Sequence, residues 1–397
     1  MTHRKILLVD CDQFFVQCAR LADAEGAGRE ELLLVGGSTD SRGVVTSASY
    51  ATRAFGVRSG MPTSQALRLC PAARVVPVPR EMCSRKSEDV HRVLETFTPL
   101  VERASIDEAY LDLTGTDALY QGEPLVGIAQ RVKDAVARDA GIAVSVGGAS
   151  NKLVAKLAVR LAKPSGVHVV EPGRELDFMR GVELAAIPGI GPVFQEELRR
   201  FGLVRVEDAL AHDRVTLSGW LGARGDWLFE RIRGIDDAVV EPHGVAKSIS
   251  RDETFARDLD RDDDLQRELL ALAVRAAGDL REAGLEARTV TVRIRDSDFR
   301  NRSASRTLEQ PVESDRAIQQ VARALLATLR ERRRTPARLL GVALSGFDGG
   351  AGRQLALFDE AAAVVETERD RELSRAVDDV RARFGRKALR PGRLIDE

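Results

Sequence analysis

Ile6-Leu7-Leu8-Val9 is a short apolar run that reads as a buried strand, and it ends abruptly at Asp10-Cys11-Asp12. A carboxylate at the tip of a buried strand is costly unless it is paired or meets a cation. Asp10 is therefore a metal-ligand candidate on elementary grounds. The aromatic pair Phe14-Phe15 follows at once and reads, from composition alone, as core at the start of a helix. A second acidic feature, Ser105-Ile106-Asp107-Glu108, lies between Val101 and the apolar stretch Ala109 to Leu113. On a regular strand Asp107 and Glu108 would point to opposite faces, whereas at a hairpin turn or a bulge they can converge. Convergent carboxylates call for a counter-charge, and a hard divalent cation such as Mg2+ supplies it. An isolated Asp-Glu pair is more often a solvated acidic turn, so the rest of the chain has to decide.

Taken in order, Leu32 to Gly37 reads as strand and turn, and Gly43 to Gly56 as a strand passing into a short helix that carries Tyr50 and Arg53 on one face. Met61-Pro62-Thr63 opens another short helix, with proline at its start. A longer helix, about Glu81 to Phe97, leads to the acidic stretch. A helix around Pro124 to Arg138 and a strand Ile142 to Val146 follow; Gly147-Gly148 is expected to break that strand before a helix from Asn151 to Ala162. The order strand-helix-strand-strand-helix-strand is that of a split-βαβ, ferredoxin-like sheet, with a small domain inserted after its first strand. Ile187-Pro188-Gly189-Ile190-Gly191-Pro192 then opens a helical unit. Its Gly-x-Gly turn is suited either to a phosphate backbone or to a plain tight helix–helix turn.

From Lys247 the texture is again α+β: strand Ser248 to Phe255, helix Asp263 to Ala283, alternating strand Thr289 to Arg295, strand Ser303 to Thr307, helix Asp315 to Arg332 and strand Leu339 to Leu344. In the alternating strand Val290, Val292 and Ile294 face one side and Thr291, Arg293 and Arg295 the other, so one face is packed and the opposite face is polar and basic. Such a face fits a phosphate backbone or simple solvation. Gln354-Leu355-Ala356-Leu357-Phe358, after a glycine cluster, has the form of a short apolar anchor for a pocket on a partner protein. Glu360 to Arg383 reads as a charged, weakly amphipathic helix.

At 397 residues the chain has room for two to four domains. Its net charge of -1 excludes a uniformly basic nucleic-acid binder but not a local basic face. The four cysteines form no Cys-x-x-Cys pair and no zinc spacing with the histidines, as expected of reduced thiols in the cytosol. The N-terminal apolar run is too short for a signal peptide, and no run approaches membrane-spanning length. The expectation is a soluble, cytoplasmic protein that makes no membrane contact.

Several stretches together resemble the Y-family, translesion DNA polymerases of the DinB or DNA polymerase IV type: Leu8 to Phe15, Gly43 to Arg53, Phe55 to Pro62, Ser105 to Thr114, Asn151-Lys152 with Ala155-Lys156, Ala162 to Gly166, Ile187 to Gly191, and Gln354 to Phe358. The resemblance implies an α+β multidomain chain. Its ferredoxin-like palm would span residues 1–15 and 76–170, with fingers inserted at 16–75. A helix-hairpin-helix thumb would occupy 171–237, a linker 238–246, a little finger 247–348, and a clamp-binding peptide with tail 349–397. It implies a monomer in a bacterial cytoplasm that extends primer-template DNA with deoxynucleoside triphosphates, error-prone and past damage, and that docks on a β-type sliding clamp.

By the same resemblance two Mg2+ ions, or Mn2+, serve the reaction. Asp10 and Asp107 would bridge them, Glu108 would complete the site that activates the primer 3′-hydroxyl, and the Cys11 carbonyl would join the second ion. Asp12 ranks below these. Tyr50, Arg53, Lys163 and Ser47 are implied as nucleotide contacts, and Phe15 as the steric gate against a ribonucleotide 2′-hydroxyl. Gly189, Gly191, Lys152, Arg293 and Arg295 would meet DNA, and Gln354, Leu355, Leu357 and Phe358 the clamp. Val16, Gln17 and Ala19 depart from the family's small residues and Glu, and Ala22 to Glu31 lacks its Asn-Pro pattern. The clamp motif also lies well before the C-terminus. Two other readings exist: a non-catalytic adaptor of the same family, against which the presence of Asp10, Asp107 and Glu108 argues, and a nucleotide cyclase on a similar palm, which would explain neither the Gly-x-Gly turn nor the apolar anchor.

Overall fold

The computed structural model describes residues 3–242, 244, 246–347, 366–385 and 388–394, in two compact units, Met1–Gly244 and Val245–Glu397. In the first unit β1 (Ile6–Cys11) runs into α1 (Phe14–Ala22), followed by β2 (Leu33–Gly36), β3 (Val45–Ala48), the single turn α2 (Tyr50–Arg53), α3 (Thr63–Leu69) and β4 (Arg74–Val76). Next come α4 (Arg80–Glu95), the hairpin β5 (Val101–Arg103) and β6 (Glu108–Asp112), α5 (Leu125–Ala135), β7 (Val144–Ala149), α6 (Lys152–Ala162) and β8 (Val167–Val169). The helices α7 (Glu175–Arg180), α8 (Pro192–Arg200), α9 (Val206–Leu210), α10 (Arg214–Leu221) and α11 (Ala223–Arg231) close the unit.

The main sheet has the order β5-β6-β1-β7-β8, with β1 central and antiparallel to both neighbours. Every residue of β1 is buried because both sheet faces are covered, which is why the run is continuously apolar rather than alternating. Leu7, Val9 and Cys11 pack with α1, α4 and α5. Ile6 and Leu8 face the other way, onto α6 and the core of α7–α11. Side chains alternate along a strand, so Asp10 falls on the α6 side, a placement that decides its partners. The insertion between α1 and α4 is a three-stranded sheet, β3-β2-β4, with a small core of its own around Leu34, Val45 and Ala66.

The expected break at Gly147-Gly148 is not there: β7 continues through both glycines to Ala149. A side chain on Gly147 would run into the Ala155 carbonyl and the Val159 amide of α6, and one on Gly148 into Val169 and Leu7. Gly147 marks close approach of a helix backbone to the sheet and Gly148 a tight fit of side chains against it, the other meaning of glycine inside a strand. At the Gly-x-Gly turn Gly189 has φ 97°, in the left-handed region, with the Trp227 ring 3.0 Å from where a Cβ would lie. Gly191 immediately precedes α8, which begins at Pro192.

The second unit is a four-stranded antiparallel sheet, β11-β10-β12-β9, built from β9 (Ser248–Leu259), β10 (Ala287–Asp296), β11 (Asn301–Val312) and β12 (Ala337–Phe347). It packs on α12 (Asp262–Glu282) and α13 (Asp315–Arg332). Val290, Val292 and Ile294 are buried as the alternation requires. β11 extends well beyond the expected Ser303 to Thr307, because β10 offers it a ladder from Ala287 to Arg295. On the polar side Thr289 and Thr307 share a hydrogen bond of 3.0 Å, and Thr291 and Ser305 one of 2.9 Å, in which either hydroxyl can be the donor.

The charged tail segment forms α14 (Glu368–Phe384), which charge rather than apolar surface holds to the unit. Arg281 bonds Asp378 at 2.6 Å, and the buried Arg371 meets Glu286 at 2.5 Å and Glu366 at 2.6 Å. The anchor motif Gln354, Leu355, Leu357 and Phe358 lies outside the described residues. Among the described residues no helix is long and apolar enough to cross a membrane.

Candidate active site

Asp10 on β1 stands directly opposite Glu108 on β6. Residues paired across antiparallel strands project from the same face, so the two carboxylates share the α6 side of the sheet. Asp107 sits in the turn between β5 and β6, and its carbonyl accepts a 2.9 Å hydrogen bond from the Cys11 amide. The hairpin thus solves the problem of adjacent acids: Glu108 is the first residue of the strand while Asp107 is still in the turn. The Ser105 hydroxyl donates to Asp107 Oδ1 at 2.6 Å, and Ser87 of α4 donates to the Ile106 carbonyl at 2.6 Å, fixing the turn from behind.

Two lysines answer the acids. Lys163 Nζ lies 2.6 Å from Asp10 Oδ1, and Lys156 Nζ, from α6, lies 2.6 Å from Glu108 Oε2. Burial still pushes the Asp10 carboxyl up to about 6, against the pull of Lys163 and with Glu108 and Asp107 adding repulsion. Among the described residues no three acidic, thiol or imidazole groups converge tightly enough to hold a metal ion together. The donors are nonetheless of the right kind for Mg2+: hard carboxylate oxygens, one of them buried and costly to charge even beside Lys163.

Asp12, which ranked below the other acids, is buried, and its carboxylate is fully engaged. It accepts from the Tyr50 hydroxyl at 2.7 Å, from Ser145 Oγ at 2.9 and 3.1 Å, and from the Ser165 amide at 2.8 Å. It knits elements together rather than offering free oxygens. Tyr50 starts α2, its phenol held above its usual pKa by burial and by Asp12. The Arg53 guanidinium lies 5.1 Å from the Tyr50 ring centre, and its Nε donates to the Ala48 carbonyl. Ser47 is buried on β3. Phe15, on α1 beside the buried Phe14, is partly buried between the cores of the two sheets.

The residues assigned to DNA are dispersed. Gly189 and Gly191 form the turn before α8. Lys152 is 2.6 Å from both carboxylate oxygens of Glu102 and lies over the Tyr110 ring, so a phosphate contact there would have to break that ion pair. In the second unit Arg293 pairs with Asp252 at 2.8 Å, and Arg295 Nε donates to Asn301. Lys163 was expected at the nucleotide and is found on Asp10, whereas the pairing of Lys156 with Glu108 and the contacts of Gln13 and Gln17 carried no signal in the sequence. Gln17 stood out only as a departure from pattern.

Residues 9–160 match the impB/mucB/samB family, and residues 246–357 its C-terminal domain. A protein of Desulfatibacillum aliphaticivorans described as DNA polymerase IV is 36% identical over 100% of this chain and 98% of its own. The chain belongs to the DNA polymerase IV family. Among solved structures, a Y-family DNA polymerase chimera of Dbh and Dpo4 matches with a TM-score of 0.78 and 26% identity, covering 86% of this chain and 99% of that one. An insertion ternary complex of Dbh DNA polymerase matches at 0.60, with 26% identity over 86% of this chain and 99% of that one. Asp10 and the Asp107-Glu108 turn therefore lie within the segment matched by the DNA polymerase IV family's first domain.

Proposed function

We propose that this DNA polymerase IV family member extends a primer 3′ end on a DNA template, including past damaged bases, by two-metal phosphoryl transfer at Asp10, Asp107 and Glu108. The observation that carries the reading is the cross-strand pairing of Asp10 with Glu108 and the adjoining Asp107 turn, three carboxylates gathered at one end of the central strand of the main sheet. The main sheet with α4–α6 serves as palm, the three-stranded insertion as fingers, α7–α11 as thumb, and the second unit as little finger. Asp10, Asp107 and the Cys11 carbonyl, with Glu108 on the primer side, would hold two Mg2+ ions, which would stabilise charge on the attacking and departing oxygens. Lys163, freed from Asp10, has a triphosphate oxygen as its natural new partner. Tyr50 and Arg53 serve the same phosphates, Arg with the planar fork suited to bidentate contact. Phe15 excludes a 2′-hydroxyl. The turn at Gly189 and Gly191 and the polar sheet face with Arg293 and Arg295 bind backbone without reading sequence, so DNA affinity falls steeply with salt. Gln354, Leu355, Leu357 and Phe358 dock on a sliding clamp.

Primer extension tests the core of this. The intact protein extends a primer only with a divalent cation, and Asp107→Ala or Glu108→Ala lowers the rate by at least about a hundredfold, on the order of 3 kcal/mol of barrier. Normal extension by either variant would overturn the assignment.

A further inference from the structure

Gln13 adopts φ 48° and ψ 42°, a left-handed conformation that residues other than Gly, Asn and Asp seldom take. Its side chain makes no capping bond to α1, the helix it precedes. It reaches instead into the insertion, where Oε1 accepts the Tyr50 amide at 2.7 Å. That amide belongs to the first residue of α2 and has no partner within the helix. The neighbouring Asp12 accepts the hydroxyl of the same tyrosine at 2.7 Å. Two consecutive residues thus hold Tyr50 at its backbone and at its far tip. Gln17 fixes the turn in its place: its Nε2 donates to the carbonyls of Asp12 at 2.5 Å and Ala143 at 2.9 Å, and its Oε1 accepts the Ala143 amide at 2.8 Å. The turn begins one residue beyond the end of the Asp10-Cys11 pair on β1.

We propose that Gln13 is a positioning residue for the incoming nucleotide: by gripping the Tyr50 amide from the turn that follows Asp10, it sets the position of α2 against the carboxylates. The inference rests on the reading of Tyr50 and Arg53 as triphosphate contacts. The Gln13 carbonyl opens α1 by accepting the Val16 and Gln17 amides, whereas among the described residues its side chain bonds only the Tyr50 amide, so the side chain acts through α2 and touches no reacting atom.

Gln13→Gly separates positioning from folding, because glycine takes the left-handed conformation without strain while the amide grip is lost. In the full-length protein, single-nucleotide insertion should show the KM for nucleotide raised about fivefold, which is roughly 1 kcal/mol or one neutral hydrogen bond. The kcat should stay within about twofold, the Mg2+ half-saturation should stay unchanged, and the melting temperature should not fall. Hydrogen exchange at the Tyr50 amide, without nucleotide or metal, should quicken in Gln13→Gly and stay slow in Gln13→Glu, which keeps an oxygen at the same reach. Unchanged KM with unchanged exchange overturns the proposal, as does a KM rise matched by an equal shift in Mg2+ half-saturation. Failure of the unaltered protein to extend primers would instead overturn the polymerase reading, while the exchange experiment would still test the grip.

Discussion

Asp10 should make the fold less stable at neutral pH than an uncharged residue would. It is 8% exposed, and its carboxyl is raised from 3.8 to about 6, with desolvation outweighing Lys163. A carboxyl whose folded pKa lies above its unfolded one binds more protons folded than unfolded. Its favourable contribution is full below pH 4 and is lost as pH rises through 6. At about 1.36 kcal/mol per tenfold change in proton affinity, the loss amounts to at most about 3 kcal/mol. Asp10→Asn, isosteric and neutral, should recover most of that above pH 7, since Lys163 is exposed enough to find water. For a unit of this size each kcal/mol moves the melting temperature by about 2–4 °C. Calorimetry without divalent cations should therefore show the first unit melting about 5–10 °C higher in Asp10→Asn at pH 7.5, with the gap closing by pH 4. Equal or lower melting of the variant at pH 7.5, or a gap that does not change with pH, would refute the claim that burial controls this carboxyl.

Phe15→Ala should raise ribonucleotide insertion relative to deoxynucleotide by at least about tenfold in primer extension, about 1.4 kcal/mol of discrimination; an unchanged ratio removes the steric-gate role. Gly147→Ala should destabilise the first unit by about 2–3 kcal/mol, because the new methyl meets helix backbone that cannot swing aside, and denaturant unfolding reads it. Arg371→Ala strands the buried carboxylate of Glu366 and leaves the half-buried Glu286 without this partner, and should cost the second unit about 3 kcal/mol, read as earlier unfolding and faster proteolysis within α14.

What the sequence disclosed follows from the range of each interaction. Helix α13 lies where its pattern places it, from Asp315 to Arg332, because the Ser314 cap and the apolar spacing are local signals. Val290, Val292 and Ile294 disclosed their face through period two alone. Gly147 and Gly148 misled because a glycine that ends a strand and one that admits a helix backbone or a crowded side chain are the same letter, and only the packed neighbours tell them apart. Asp10, Asp107 and Glu108 were legible as chemistry, but their lysine partners lie 153 and 48 positions away in the chain. Gln13 was invisible for the same reason: nothing near it in the chain says that its amide belongs to Tyr50.

The hydroxyl pairs on the open face of the second unit carry a consequence of their own. In Thr289–Thr307 and Thr291–Ser305 either oxygen can hold the shared proton, so each rung can turn a donor or a lone pair outward as its visitor requires. A surface of such rungs has no fixed polarity to match against a pattern. The same two rungs can meet a donor or an acceptor, and so tolerate changes in whatever faces them that a fixed array of donors would reject.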